Sequence, residues 1–373
     1  MTMNEIIEPA EEQFYPRITL RRAVTKAGEH SIYFASGVHL YALNAGDGAL
    51  QWCLHISKRL VYKVGDLPPG SLISVPPSLD GVRGLAVRDT RVFVSTESGM
   101  AYAFSADTGA LIWRRELFSF GGVPLVVGDA LYVPGQTNID ALDTRDGSKR
   151  WKYATMNVVA SPIVIENSTL YAGSYGNAVY ALDTATGQPR WTYQTNGRVY
   201  NAPIVHNGVV YAGIGDDGCC LTAIDAQSGQ LIWRNTPILD SGAQLLVINN
   251  LLYTSQRDKL VGIDIKNGRP LWHYPNMRGV SLLFSEHTLY VAATSGDLSA
   301  FEIPSHKLLW QRKLRALKSG GATHMQLLGD ELYVGFNEYG RGHVGTLHAI
   351  DIQTGHEDWV AELDWFVESP AVS

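Results

Sequence analysis

Cysteine, net charge and long apolar runs are all scarce in this chain of 373 residues. The three cysteines, Cys53, Cys219 and Cys220, are too few for a disulfide framework and do not have the paired spacing of a zinc site. Lysine and arginine number 30 against 36 aspartates and glutamates, so the basic surplus of a nucleic-acid binder is missing. No stretch approaches the roughly 18 to 20 apolar residues that cross a bilayer, which predicts no transmembrane segment.

The N-terminus shows no targeting signal, and the chain shows no helical pattern. The first residues, MTMNEIIEPAEEQFYPR, are acidic and lack an apolar run of signal-peptide length. We therefore expect a cytoplasmic location for the chain as it stands, and a periplasmic or extracellular one if a leader peptide was removed. No segment keeps apolar residues at a period of 3.6, which predicts almost no helix. A content of 37 glycines and 10% aromatic residues is typical of β structure.

The dominant positive signal is a phrase that occurs eight times. It consists of an apolar pair, an Asp-like residue, a glycine four residues later and a tryptophan four residues after that. Eight of the nine tryptophans end a copy: Trp52, Trp113, Trp151, Trp191, Trp233, Trp272, Trp310 and Trp359. Their spacings are 61, 38, 40, 42, 39, 38 and 49 residues. A repeat of about 40 residues is the period of a propeller blade.

Each repeat predicts four short strands. In residues 160–195 the runs SPIVI, TLYAGS, AVYALD and PRWTYQ are separated by turn residues at 166–168, 176–177 and 184–187. Short strands with turn residues at every junction predict an antiparallel meander rather than a βαβ unit. A meander repeated at this period is typical of a propeller blade. The predicted fold is an all-β, eight-bladed β-propeller of four-stranded antiparallel blades.

The repeated residues have predicted roles in a blade. The tryptophan lies on the outermost strand, where its ring wedges between neighbouring blades. The glycine suits a turn position with positive φ, and the Asp-like residue accepts hydrogen bonds from the amides of that turn. Asn44, Ser105 and Glu302 replace the aspartate in three copies, and His306 replaces the glycine in one. We expect altered turns in those blades.

The phrase Ala-x-Asp-x-x-Thr-Gly-x-x-x-Trp, as in residues 181–191, resembles the repeat of the pyrroloquinoline-quinone-type propeller family. The resemblance extends over about residues 30 to 373 and implies the eight-bladed fold. That family includes quinoprotein alcohol dehydrogenases and non-catalytic relatives, among them the lipoprotein of the outer-membrane barrel-assembly machinery. This chain is nearer to the non-catalytic type, because it is much shorter than the dehydrogenases and its blades are close to minimal length. A shared fold does not by itself imply a shared activity.

The C-terminus predicts how the ring closes. Residues 366–373 align with the innermost strand at 159–164, whereas the first copy of the repeat lacks an inner strand. We therefore expect the C-terminal strand to complete the first blade, with residues 20–26 as the competing candidate. The predicted domains are an N-terminal arm over residues 1–16 and a single propeller over residues 17–373.

Functional residues are expected on one face of the ring. On that face, loops join consecutive blades and turns join the second and third strands of each blade; we call it the loop face. Two insertions in the repeat, residues 55–81 and 336–343, fall there. The candidate binding residues at the channel mouth on this face are Tyr62, Lys63, Asp66, Arg198, Tyr200, Asn201, Asp217, Arg257, Arg278, His324, Glu338 and Arg341. The alternative is a solvated polar face that binds nothing.

Two motifs that often mark cofactor sites receive a structural interpretation. Residues 213–218 match GxGxxG, but a strand follows instead of a helix, and Asp216 and Asp217 would repel phosphate. In the dehydrogenases that the repeat resembles, a vicinal disulfide packs on the quinone. Cys219 and Cys220 fall at the start of a third strand, and we expect two buried thiols. No calcium-ligand set or catalytic base can be placed, so no cofactor and no metal site are predicted, with quinone plus calcium as the weaker alternative.

The sequence leaves three functions open. A non-catalytic scaffold that binds a protein partner through the loop face is favoured by the regular blades and the missing catalytic set. An enzyme or small-ligand binder at the mouth of the central channel is favoured by the two insertions, which would act as lids. A quinone-dependent dehydrogenase is the weakest of the three. The expected partner is an unidentified protein or small molecule, and not a nucleic acid.

Overall fold

The computed structural model describes residues 19–21, 30–56, 61–63, 81–117, 122–159, 162–215, 220–235, 244–314, 320–322, 325–338, 344–363 and 370–372. Within these ranges the chain forms 35 strands and no helix. The strands make eight antiparallel sheets, which are the eight blades of a β-propeller. The predicted fold is confirmed. None of the described residues belongs to a helix of the length and apolarity needed to cross a membrane.

The strands follow one another around the ring. The chain enters with β1 (Thr19–Arg21), and blade 1 then takes β2 (Ser31–Ser36), β3 (His39–Asn44), β4 (Leu50–Ile56) and β5 (Val61–Lys63). Blade 2 comprises β6 (Val82–Arg88), β7 (Arg91–Thr96), β8 (Met100–Ser105) and β9 (Leu111–Glu116). Blade 3 comprises β10 (Leu125–Val127), β11 (Ala130–Pro134), β12 (Asn138–Asp143) and β13 (Lys149–Ala154). Blade 4 comprises β14 (Val164–Glu166), β15 (Thr169–Ser174), β16 (Ala178–Asp183) and β17 (Pro189–Gln194).

The second half of the ring repeats the pattern. Blade 5 comprises β18 (Ile204–His206), β19 (Val209–Ile214), β20 (Cys220–Asp225) and β21 (Leu231–Asn235). Blade 6 comprises β22 (Leu246–Ile248), β23 (Leu251–Gln256), β24 (Lys259–Asp264) and β25 (Pro270–Pro275). Blade 7 comprises β26 (Ser281–Ser285), β27 (Thr288–Ala292), β28 (Asp297–Glu302) and β29 (Lys307–Lys313). Blade 8 comprises β30 (Gly320–Ala322), β31 (Gln326–Leu328), β32 (Glu331–Glu338), β33 (Val344–Asp351) and β34 (Glu357–Leu363), and the chain ends with β35 (Ala371–Val372).

The two ends of the chain meet at blades 1 and 8. The C-terminal strand β35 pairs with β2, with Ala371 opposite Tyr33, and so supplies the inner strand of blade 1 as predicted. The competing candidate, residues 20–26, is wrong for that position. Leu20 belongs to β1, which pairs with β34 and forms an extra strand on the outside of blade 8.

A row of three side chains crosses each blade and explains the repeat. In blade 4, Tyr171 of the second strand lies opposite Ala181 of the third, and Ala181 lies opposite Trp191 of the fourth. The small central residue lets the two rings meet above it, with centroids 5.9 Å apart. The other blades have the same row, with phenylalanine for tyrosine in blade 2 and glycine for alanine in blade 6. The recurrent tyrosine is therefore part of the blade core.

The tryptophans join neighbouring blades, as the sequence predicted. We call the turn between the third and fourth strands of a blade its outer turn. In seven blades the indole N–H donates to a carbonyl of the outer turn of the next blade, at 2.8 to 3.2 Å. Trp359 of blade 8 donates to the Ala45 carbonyl of blade 1, which closes the ring. The hydroxyl of Tyr333 donates to the same carbonyl.

The glycine of the outer turn is required for two reasons. Gly187 has a φ of +71°, where a side chain is strained. A Cβ on Gly187 would also lie 2.6 Å from the ring of Trp151 in the preceding blade. The glycine thus gives the indole of one blade a flat surface on the next. The sequence predicted the first reason and not the second.

The expectation of altered outer turns is wrong for two of the three blades concerned. Asn44 and Ser105 keep the pair of main-chain hydrogen bonds found in the aspartate turns, because an amide or hydroxyl oxygen also accepts from the turn amides. Only blade 7 differs. Its turn contains a cis Ile303–Pro304 bond, and His306 has a φ of +58°. The imidazole of His306 stacks on Trp272, with centroids 4.4 Å apart, in place of the glycine.

A β-bulge precedes every repeat tryptophan. In blade 4 the register shifts between Ala181 and Leu182, which leaves Arg190 as the extra residue of the outer strand. The bulge displaces one side chain outward, and this explains most of the exposed apolar residues of the outer strands. The bulge residues Ile112, Ile232, Leu271 and Leu309 are 42%, 50%, 66% and 47% exposed.

Candidate functional site

The predicted candidates Arg198, Tyr200 and Asn201 lie together on the loop face. They belong to the connection between blades 4 and 5, which the main chain fixes on both sides. The Val199 amide donates to the Ser174 carbonyl at 3.1 Å, and the Gly215 amide donates to the Arg198 carbonyl at 2.8 Å. Because Val199 is fully buried between these bonds, the side chains on either side of it are held in fixed directions.

Two tyrosines and an arginine form a cluster at the surface of this connection. The rings of Tyr175 and Tyr200 lie 5.0 Å apart, and the Tyr200 hydroxyl lies 3.5 Å from Nη1 of Arg198. Tyr175 belongs to the turn between β15 and β16, and burial raises the pKa of its hydroxyl, as does neighbouring Tyr200. Both tyrosines are half-buried, whereas Arg198 is exposed.

Met156 extends this cluster towards blade 3. Its side chain is 78% exposed, the highest value among the large apolar residues that the structure describes. The Met156 amide is nevertheless fixed, because the Tyr180 hydroxyl accepts its hydrogen bond at 3.2 Å. The Tyr175 amide donates to the Val158 carbonyl, which ties the two loops together. We call Met156, Tyr175, Arg198 and Tyr200 the aromatic patch.

Asn201 follows Tyr200 of the aromatic patch in the chain and is 6% exposed. Its amide oxygen makes no hydrogen bond with the residues that the structure describes. A buried amide oxygen without a donor costs about 1–3 kcal/mol. This oxygen is thus a place where a ligand N–H or O–H, or an ordered water, would be stabilised.

The other candidates are spread around the loop face. Arg257 is in the turn between β23 and β24 with a φ of +55°, Arg278 follows β25, and Glu338 ends β32. Tyr62 and Lys63 lie on β5, opposite His55 and Leu54. The predicted residues Asp66, Asp217, His324 and Arg341 lie outside the described residues, as does most of each insertion. The described contacts therefore support one cluster, around Arg198 and Tyr200.

A histidine pair that the sequence did not single out lies at the base of the first insertion. His39 and His55 are directly opposite each other on β3 and β4. Nε2 of His39 lies 3.3 Å from Nδ1 of His55, and both rings are half-buried. Burial, together with His55, lowers the pKa of His39 to about 4, and burial also lowers the pKa of His55. The sequence could not indicate this pair, because the two histidines meet only through the register of β3 and β4.

A triad-like arrangement in blade 8 has its hydroxyl and its histidine buried. The His348 ring lies between the Thr346 hydroxyl, 2.9 Å from Nε2, and the Glu357 carboxylate, 2.8 Å from Nδ1. These distances match a nucleophile, a base and an orienting acid. Thr346 is only 2% exposed and His348 only 3%. A substrate has no route to this hydroxyl, so the arrangement serves the blade interior.

The face opposite the loop face has a cleft between blades 2 and 3. Its volume is about 460 Å³, and Arg88, Arg91, Asp129 and Arg145 are among its lining residues. The charges are already paired within the chain. Arg91 donates to the Thr144 carbonyl at 2.6 Å, and Arg145 donates to the Asp143 carboxylate at 2.8 Å. The cleft is therefore a poorer candidate than the aromatic patch.

The described part of the chain offers no cluster of side chains for the calcium ion of a quinone site. No three His, Cys, Asp or Glu side chains stand close enough there to hold a metal ion. Cys220 is a buried free thiol at the start of β20, as expected, and Cys219 lies outside the described residues. Strand β20 follows the GxGxxG match, so no helix N-terminus is present to bind phosphate. The donors among the described residues do not fit the calcium ion, and we derive no step through the cofactor.

Comparison with family models identifies the family of this chain. A family model described as outer membrane protein assembly factor BamB matches residues 36–163 and 135–360. A BamB from Moranella endobia (strain PCIT) is 27% identical over 301 residues, covering 79% of this chain and 55% of its own length. This chain thus spans only about half the length of that curated relative.

Solved structures with the same fold include a BamB and a methanol dehydrogenase. The crystal structure of BamB from Moraxella catarrhalis superposes with a TM-score of 0.63 at 20% identity, over 93% of this chain and 98% of that one. A europium-containing methanol dehydrogenase superposes with a TM-score of 0.61 at 16% identity, over 87% of this chain and 85% of that one. At these identities the likeness shows the fold alone.

Proposed function

Because the chain belongs to the family of outer membrane protein assembly factor BamB, we propose that it is a non-catalytic scaffold in outer membrane protein assembly. It captures a protein partner through the loop face, and the aromatic patch is the centre of the contact. This proposal also favours a location outside the cytoplasm, where outer membrane proteins are assembled, over the cytoplasmic location expected from the N-terminus.

The composition and rigidity of the aromatic patch support this proposal. Tyrosine, arginine and methionine are the residue types enriched at protein interfaces, and tyrosine and arginine dominate their binding energy. The patch has one exposed methionine, two half-buried tyrosines in ring contact and one exposed arginine. The backbone of both loops is hydrogen-bonded to blade strands, so little conformational entropy is lost when a partner binds. The exposed Met156 carries the most weight, because a solvated polar face that binds nothing does not account for it.

Single substitutions within the aromatic patch test the proposal. We expect Arg198→Glu and Tyr200→Ala each to weaken partner binding by about 30-fold or more, the equivalent of a hot spot of about 2 kcal/mol. Binding is measured by biolayer interferometry against the partner that co-purifies with the wild-type protein. The matched control is Arg88→Glu on the opposite face, which reverses one exposed charge and should leave binding unchanged. Equal losses for Arg88→Glu and Arg198→Glu would refute the assignment.

A second candidate function is small-ligand binding at Asn201. The unpartnered, buried amide oxygen of Asn201 is the observation that favours it. A ligand with an N–H or O–H donor would fill the missing hydrogen bond. Fluorine NMR screening of polar fragments tests this candidate. A fragment that binds the wild type and not Asn201→Leu supports ligand binding at this position. If no fragment loses binding in Asn201→Leu, this candidate function is ruled out.

A quinone-dependent dehydrogenase is the weakest candidate. Reconstitution with pyrroloquinoline quinone and calcium, followed by a dye-linked alcohol assay, is the direct test. We expect no turnover above the rate of the free cofactor. Turnover that depends on the protein would overturn the non-catalytic assignment.

A further inference from the structure

The His39–His55 pair has the geometry of two metal ligands. The two residues are directly opposed on neighbouring antiparallel strands, so the sheet itself fixes the separation of their side chains. Their facing nitrogens, Nε2 of His39 and Nδ1 of His55, lie 3.3 Å apart. The ring planes are inclined at 71° with centroids 5.1 Å apart, so the rings meet edge to face and are not stacked.

This separation matches a tetrahedral zinc site. Zinc binds histidine nitrogen at about 2.0–2.1 Å with tetrahedral geometry. Two ligands at that bond length and angle have nitrogens about 3.3–3.4 Å apart. A square-planar ion at similar bond lengths would need the nitrogens at about 2.9 Å, which is closer than the pair allows without movement. A metal ion between the two nitrogens therefore replaces their shared proton with little rearrangement of the strands.

The surroundings of the pair also suit a metal ion. Imidazole nitrogen is a common zinc ligand, and the two half-buried rings present facing nitrogens. No third histidine, cysteine or carboxylate stands beside the pair among the residues that the structure describes. Water or a group from a bound molecule would fill the other two positions of a tetrahedral ion, one position more than zinc enzymes leave open.

We propose that His39 and His55 form a zinc-binding site with two protein ligands on the blade 1 edge of the loop face. The site is separate from the aromatic patch, which lies at blades 3 to 5, and the inference does not depend on the proposed partner. It stands on the cross-strand register and on the distance between the two nitrogens.

Zinc titration of the purified full chain tests the site. Isothermal titration of wild-type protein with Zn²⁺ should show one more bound ion than His39→Gln or His55→Gln, each of which removes one ligand and keeps a polar side chain. The matched control is His273→Ala, which removes an exposed histidine from β25 and should bind zinc like the wild type. Equal zinc stoichiometry in wild type and both glutamine variants would overturn the proposal.

A second measurement on the wild-type chain covers the case in which a variant does not fold. Diethyl pyrocarbonate modifies accessible neutral histidines, and peptide mass spectrometry locates the modified residues. We expect Zn²⁺ to protect His39 and His55 and to leave His273 reactive. Unchanged modification of both paired histidines at saturating Zn²⁺ would contradict the site, and so would protection of His273 alone.

Discussion

The glycine of the outer turn provides a test of the contact between blades, because the ring contains matched glycines without that contact. Gly187 and Gly208 have nearly the same backbone, with φ of +71° and +74°. A Cβ on Gly187 would lie 2.6 Å from the ring of Trp151, whereas a Cβ on Gly208 would meet nothing within 4 Å. Alanine at the two positions therefore adds the same backbone strain and differs only in the clash with the indole.

The expected losses of stability follow from the backbone strain and from the clash with the indole. An L-residue in the left-handed region costs about 1–2 kcal/mol, and this applies to both Gly187→Ala and Gly208→Ala. Overpacking against a rigid ring adds about 1–3 kcal/mol, and this applies to Gly187→Ala alone. The effect of alanine on the unfolded chain is the same in both variants and cancels in the difference. We therefore expect Gly187→Ala to be less stable than Gly208→Ala by about 1–3 kcal/mol.

Equilibrium unfolding in urea, followed by tryptophan fluorescence and circular dichroism, measures this difference from the midpoints at a common slope. Gly147→Ala repeats the test at blades 2 and 3, since its Cβ would lie 2.7 Å from Trp113. Gly329→Ala repeats the control, because its surroundings are open. Equal destabilisation of all four variants would refute the wedge contact between blades.

Three further predictions concern single side chains. Trp151→Phe removes the indole N–H that donates to the Thr184 carbonyl at 2.8 Å, and should lower the free energy of unfolding by about 1–3 kcal/mol in urea titrations, whereas no loss would refute its role. Burial lowers the pKa of His306 from its ordinary value of 6.5, so the folded state favours the neutral ring and the free energy of unfolding falls as the pH drops below 6.5. Unfolding curves from pH 8 to 5 should show a smaller loss of free energy for His306→Gly than for the wild type, and identical losses would contradict this. Asn201→Leu removes a buried amide oxygen that has no partner among the described residues and should raise the melting temperature, whereas a lower melting temperature would contradict the cost assigned to that oxygen.

The sequence predicted the blades well because their signals are local. Turn residues, strand lengths and the tryptophan spacing all lie within a window of about 40 residues, the length of one repeat. Ring closure was also predictable, since residues 366–373 carry the pattern of an inner strand. The bulge before each tryptophan was missed, because an extra residue in a strand leaves no mark in a short pattern. The tolerance of Asn44 and Ser105 in the outer turn was missed for a different reason. The prediction depended on residue identity, whereas the turn requires only a side-chain oxygen that accepts a hydrogen bond from a turn amide.

The candidate site was less predictable because it depends on contacts between blades. Arg198 and Tyr200 stood out as polar breaks in the repeat, and the structure joins them. Tyr175 and Met156 were missed, because each looks like an ordinary loop residue until the turn of blade 4 lies beside the connection from blade 3. The pairing of His39 with His55 depends on strand register, which a one-residue slip would abolish.

Site-specific photo-crosslinking tests the role of the loop face most directly. A photoreactive phenylalanine analogue is placed at Tyr175 in the aromatic patch, or at Gln227 in the outer turn of blade 5, an exposed position on the opposite face. In cell envelopes containing the protein, we expect one discrete adduct from position 175, none from position 227, and loss of the adduct when Arg198→Glu is added. An adduct from position 227 instead, or an adduct from position 175 that survives Arg198→Glu, would contradict partner capture through the aromatic patch.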